Sequence, residues 1–316
     1  MPPLPLRLTR ASLLLALVAL AGCVATQPPP VEIAPPPVVI EPELPGRPSA
    51  RSEAVRQHYE KVQANLLARG LLRTDGGTQD APYTDRMLAD NFIRVALYDE
   101  YARSSGALVA RPTQSRLRRW DQPVRVSVRF GDSVPEERRA TDRARIASFL
   151  ARLSRISGHS IRMTDASPNF YLFIVDEDER RAMGPAINAI LPGLSPAELA
   201  GITEMPISTY CLVYAMSAGK SSSYSRALAV IRAEHPDLMR LSCLHEEITQ
   251  GLGLANDSPT ARPSIFNDDE EFALLTPMDE LMVRMLYDPR LTPGMTEAEA
   301  EPIVREIAAQ LTGGGS

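Results

Sequence analysis

The sequence predicts a mixed α+β (α/β) domain preceded by a helical subdomain, and three observations carry that prediction. Residues Pro123 to Phe130 (PVRVSVRF) alternate apolar and polar with period two, the pattern of a half-buried strand. Glu136 to Ser157 places Ile146, Phe149, Leu150, Leu153 and Ile156 three and four apart, the pattern of a long amphipathic helix. Asn169 to Asp176 is almost wholly apolar, as expected of a strand covered on both faces.

The elements follow in order. Residues 1–22 read as an export signal, with Arg7 and Arg10 before the apolar run Ala11 to Ala21, which is too short for a convincing membrane span. Residues 24–50 hold nine of the 28 prolines and cannot bury a core, so 23–50 reads as a stiff tether. A helical subdomain is expected over 51–120, with helices at 52–73 and 85–101, and the main domain over 121–312. Within the latter, strands are expected at 160–164, 169–176, 209–216 and 225–233, with 193–202 a loop or short helix. Pro236 suits the first turn of a helix over 237–251, and two more helices are expected at 276–287 and 297–311.

Composition narrows function. A net charge of −5, or −7 without the two arginines of the leader, excludes a general phosphate-neutralising surface, and nucleic acid is not an expected partner. Four histidines, His58, His159, His235 and His245, leave little room for a zinc site built from three imidazoles. With Cys23 assigned to the leader boundary, Cys211 and Cys243 remain; an even pair in an oxidising compartment predicts one disulfide, two buried free thiols being the alternative.

Chemistry concentrates in Cys243-Leu-His-Glu-Glu-Ile-Thr-Gln-Gly-Leu-Gly-Leu-Ala-Asn-Asp257. On a helix, Leu238, Leu241, Leu244, Ile248 and Leu252 share one apolar stripe with His245 beside it, so His245 reads as a hydrogen-bonded structural histidine. Glu246 and Gln250 fall on the opposite side, with Cys243 beside them and Glu247 flanking. Gly253 can close the helix in a left-handed conformation and turn Leu254 to Asn256 back toward Glu246 and Gln250. The expected cleft is therefore lined by Glu246, Glu247, Gln250 and Asn256, with a 211–243 bridge steadying the helix. Asn267 to Glu271 lacks the alternating ligands and glycine of an EF-hand loop and reads as a solvated acidic turn.

Three resemblances add to this reading. Leu20-Ala21-Gly22-Cys23 resembles the lipobox of bacterial lipoproteins, which implies cleavage before Cys23, acylation of its thiol and new amine, and, with Val24 following, an outer-membrane anchor facing the periplasm. The segments RLRRW (116–120), PVRVSVRFGDSVP (123–135), HPDLMRLSCLHEEITQGLGLANDSP (235–259), PSIFNDDEEFALLTPMDEL (263–281) and LYDPRLTPGM (286–295) resemble domain-of-unknown-function family 2927 of proteobacterial envelope lipoproteins. More distantly, the metzincin pattern HExxHxxGxxH falls on Glu246, Glu247, Gln250, Gly253 and Asn256, with all three histidines replaced by oxygen-bearing side chains. The order strand, long helix, strands, motif helix also resembles that of zincins.

The zincin resemblance implies a twisted mixed sheet, a long backing helix and a motif helix, with Phe266 where metzincins place the methionine of their turn. It implies Glu247 as general base if the protein is active, and Glu246, Gln250 and Asn256, with Asp257 as a further candidate, as ligands if a divalent cation is bound. Carboxylate and amide oxygens suit calcium, magnesium or manganese better than zinc, and one carboxylate with two amides makes a weak cage. Three readings stay open: a metal-free binding or structural module for an envelope protein or peptide partner, a hydrolase using a hard or atypical metal or a proton-transfer site built on Glu246 and Glu247, and a motif that merely closes a helix.

Overall fold

A computed structural model describes residues 48–104 and 107–313; the export-signal, Cys23 and most of the tether lie outside the described residues. The fold is mixed α+β. Among the described residues the elements are α1 (Ala50–Ala68), α2 (Asp85–Ala96), β1 (Tyr98–Ser104), β2 (Ala107–Gln114), β3 (Val124–Phe130), α3 (Glu136–Ser157), β4 (Ile161–Met163), β5 (Phe170–Val175), α4 (Glu177–Ala182), α5 (Gly184–Ile190), α6 (Pro196–Thr203), β6 (Cys211–Ser217), β7 (Tyr224–Arg232), α7 (Asp237–Gln250), α8 (Pro277–Leu286) and α9 (Glu297–Leu311).

The main sheet runs β4-β3-β5-β7-β6. β3 pairs in parallel with β4 and β5, and β5 with β7; β6 alone is antiparallel, on the edge beside β7. Period two decides which layer each side chain joins. Phe170, Leu172 and Ile174 of β5 and Ala227, Ala229 and Ile231 of β7 enter the large core shared with α2, α3, α7, α8 and α9. Val175, Leu228 and Val230 face the other way, onto Ile187, Ile190 and Ile202 of α5 and α6. Helix α3 spans its expected residues and stops where Gly158 takes φ +68°.

Helix α1 docks through a small apolar cluster, in which Val55, Tyr59 and Leu66 meet Met239 and Ala273. Its first turn is fixed by polar contacts at the carboxyl ends of β5 and β7. The Ser52 hydroxyl donates to Glu234 Oε1 at 2.8 Å, and the Ser49 hydroxyl bonds to Asp178. Beneath them lies an ion-paired group, with Arg232 2.7 Å and Arg180 2.5 Å from Glu177 Oε2. Paired this closely, these charges avoid most of the penalty of burying one alone.

The stretch expected as all-helical over 51–120 differs. The second helix ends at Ala96, not at 101, and the chain turns at Leu97 into the antiparallel hairpin β1–β2. Tyr98 pairs with Gln114 at its base, and the ladder satisfies backbone groups that a longer helix would have bonded internally. Leu88, Phe92 and Val95 of α2 lie in the same core as the sheet. Helices α4 and α5, between β5 and α6, were also not expected from the sequence.

Candidate functional site

Helix α7 forms where expected, behind Pro236, but it is more deeply enclosed than its apolar stripe suggests. From Ser242 to Gln250 only Glu246 is half-exposed; Leu238 and Leu241, at the start of the stripe, are half-buried. The helix packs against β6 and β7. The RLRRW segment meets the end of this helix and ties it to its neighbours. Trp120 Nε1 donates to Gly251 O at 2.8 Å, Arg119 donates to Leu286 O, and Arg118 pairs with Asp99 at 2.7 Å.

Gly253 is required at the turn. Its φ is +134°, and a Cβ there would stand 2.2 Å from Arg118 O. The chain then comes back to meet α2: Asn256 N donates to Val95 O at 3.1 Å and Asn256 Nδ2 to Arg94 O at 2.9 Å. These carbonyls belong to the last turn of α2, which lacks internal partners for them, so the loop caps that helix. Phe266 is fully buried in the large core, and its carbonyl accepts from Ser258 N at 2.8 Å. Asp279 anchors the same segment, accepting from the Ser264 hydroxyl at 2.5 Å, Ile265 N at 3.1 Å and Thr276 N at 2.9 Å.

His245 faces the core, away from solvent. Its ring stacks on Phe149 with centroids 3.9 Å apart, and its Nδ1 accepts from Leu275 N at 3.1 Å. Burial, with a smaller contribution from Arg152, lowers its pKa to about 3. His235 is likewise enclosed, edge-on to Tyr59 at 4.3 Å, with a pKa pushed down to about 3 by burial and then by Arg232 and Arg240.

The candidate site residues fall into two groups. Glu246 and Glu247 lie together at the crosslink between α7 and the edge strand: Cys211 and Cys243 form a disulfide, and one donor atom each from Cys211, Glu246 and Glu247 lie within 4.8 Å of one another. Glu247 is 3% exposed. Cys211 Sγ is 3.9 Å from Glu246 Oε2, yet as a disulfide sulfur it carries no proton to donate. Gln250 and Asp257 form the second group, joined by a 3.0 Å bond from Gln250 Nε2 to Asp257 Oδ1. Asn256, beside them in sequence, is held by α2.

This donor set does not fit a catalytic zinc. The one imidazole on α7 accepts a backbone N–H in the core, the nearby sulfur is oxidised, and Gln250 turns its amide nitrogen toward a carboxylate. A hard cation would find two carboxylates, Glu246 and Glu247, where six to eight oxygens are usual for calcium.

Sequence reasoning missed the cavity that the returning loop helps to form. Asn256 and Asp257 line a space of about 380 Å³ together with Asp90 and Arg94 of α2, Tyr98 of β1, and Glu297 and Glu301 of α9. No local motif could announce it, because three segments far apart in the chain each contribute three or four residues. Glu297 lies in the first turn of α9, where an acid complements the helix dipole whether or not it lines a cavity. The acidic run 267–271 is part of a surface network in which Glu271 pairs with Arg73 at 2.9 Å and Arg262 at 2.5 Å.

Comparison with known proteins gives one match: a family described as "Protein of unknown function (DUF2927)" matches residues 85–306, more than half of the chain. Neither the curated proteins nor the solved structures contain a match.

Proposed function

We propose, for a chain that belongs to the DUF2927 family, a lipid-anchored envelope protein of the outer membrane whose folded domain is a metal-free binding module on a zincin-like framework. The observation that carries this reading is the chemistry of α7. Its histidine is in the core, the residue at the base position is buried, and one amide at a ligand position is engaged by a carboxylate. The element order supports the framework: β3, the long α3, β4, β5, β6 and β7, then the motif helix. Such a domain would keep the scaffold of a zincin without a Lewis acid to drive hydrolysis. Its expected partner is a peptide or another envelope protein.

Elemental analysis of protein purified without chelator, combined with thermal melts in calcium, manganese and zinc, tests this. The expected outcome is no stoichiometric metal and an unchanged melting temperature. Stoichiometric metal that disappears in Gln250→Leu would replace the module with the competing hydrolase, in which Glu247 serves as general base.

A further inference from the structure

Helix α1 presents a surface that its packing does not use. His58, Lys61, Asn65 and Arg69 recur at steps of three and four, so they form one row along the helix, and all four are exposed. The row lines an open cleft of about 290 Å³, whose apolar wall is Val62, Leu66 and the half-buried Tyr210 ahead of β6. Lys61 is one of only two lysines in a chain of net charge −5. Among the described residues neither Lys61 nor Arg69 forms an ion pair, whereas Arg51 and Arg56 of the same helix pair with Asp178 and with Glu53 and Glu60. The helix dipole accounts for Arg69 at the carboxyl end. It does not account for Lys61, about two turns earlier, because the effect fades within the last turn.

The lining holds no carboxylate, and each of its polar side chains can donate a hydrogen bond. Glu270, the acid that acts on Tyr210, does not line the cleft, and burial and then Asp269 and Asp268 push its pKa up to about 7. The cleft therefore favours an anion. Lys61 and Arg69 are eight residues apart, about 12 Å along the helix axis, which is wide for both to grip one phosphate. In an extended peptide, acids three or four residues apart span about 10–13 Å, which matches that spacing. Apolar residues between them would lie over Val62, Leu66 and Tyr210. An anionic membrane surface is disfavoured, because lipid recognition takes clusters of about 4–8 cations and this row has only Lys61 and Arg69 as fixed charges.

We propose that this cleft on α1 docks an extended acidic segment of a partner protein, with carboxylates at Lys61 and Arg69 and an apolar stretch between them. This rests on the binding-module reading and gives the module a partner surface on α1. Fluorescence anisotropy of the full chain at pH 6 tests it, using the labelled peptide Glu-Val-Ser-Val-Glu and its counterpart with Gln at both ends. Inorganic phosphate and phosphatidylglycerol vesicles serve as competitors. The acidic peptide should bind about tenfold more tightly than the Gln peptide, and the difference should shrink with salt. Lys61→Gln and Arg69→Gln should each cost about two- to fivefold and the double variant about tenfold, since an exposed ion pair contributes modestly. The melting temperature should not change, because both side chains are exposed. Arg86→Gln, at an exposed arginine of α2 outside the cleft, should leave binding intact. Equal binding of the two peptides, no binding of either, or a loss with Arg86→Gln as large as with Lys61→Gln would each overturn the proposal. So would phosphate or vesicles that bind the full chain and lose that binding in the double variant while the acidic peptide does not bind. Metal content measured on the same sample reports separately on the module reading: no metal and no peptide binding removes this surface and leaves the module.

Discussion

His245 shows how far a single residue can be read. Its place beside the stripe of Leu244 and Ile248 makes it structural, and the structure stacks it on Phe149 with Nδ1 accepting from Leu275 N. The sequence could not supply that acceptor bond, because its donor lies 30 residues away on a loop without periodicity. An imidazolium could not accept there, so the folded protein resists protonation until about pH 3, whereas an unfolded histidine takes up its proton near 6.5. Between those values the unfolded state binds more protons, and stability from this group must fall as the pH drops from about 6.5 toward 3. Replacing it by Gln, which retains an acceptor and does not titrate, should flatten the pH dependence of urea unfolding by up to about 1.4 kcal/mol per pH unit in that window. An unchanged slope would mean His245 is already protonated in the fold. Gly253 was expected to close the helix; α7 ends at Gln250 with Gly251 as its cap, and Gly253 makes the turn beyond it with the carbonyl of Arg118 pressed against it. Gly253→Ala should therefore cost about 2–4 kcal/mol in the same assay, more than loss of a left-handed conformation alone.

Among elements, legibility followed length and periodicity. Helices α3 and α9 lie within their expected limits because their apolar spacing extends over several turns. The hairpin β1–β2 was not legible. Its strands mix charged and apolar residues, and Pro112 within β2 argues against a strand except in a ribbon with free edges. Helix α7 forms where its spacing predicts, but it is more buried than the stripe implies, since stripe arguments assume one solvated face and α7 packs against both β7 and the edge strand β6. The bond between Cys211 of β6 and Cys243 of α7 closes a loop with a sequence separation of 32. In the chain-entropy account its removal destabilises by about 3–4 kcal/mol. The double substitution to Ala should lower unfolding stability by that amount, and peptide mapping without reductant should recover a 211–243 crosslinked pair. Two alkylatable thiols in the native protein would refute the pairing.

For the whole molecule, the fold class was readable because the strand and helix patterns alternate along the chain, while the way α2 and α9 join the core was not. Those contacts bring residues near 90, 256 and 300 into one cavity, and only tertiary packing could reveal it. The anchor is a proposal at this same scale. Cys23→Ser should move the protein from the membrane pellet to the soluble periplasmic fraction, as followed by cell fractionation; unchanged sedimentation with membranes would reject lipidation. Helix α1 gives the molecule a mechanical property as well. Because Ser49 and Ser52 are fastened over the inner strands of the sheet, tension arriving from the amino-terminal side would be borne first by those bonds and the ion-paired arginines below. A load would then be shared across the middle of the sheet before it could peel the edge strand.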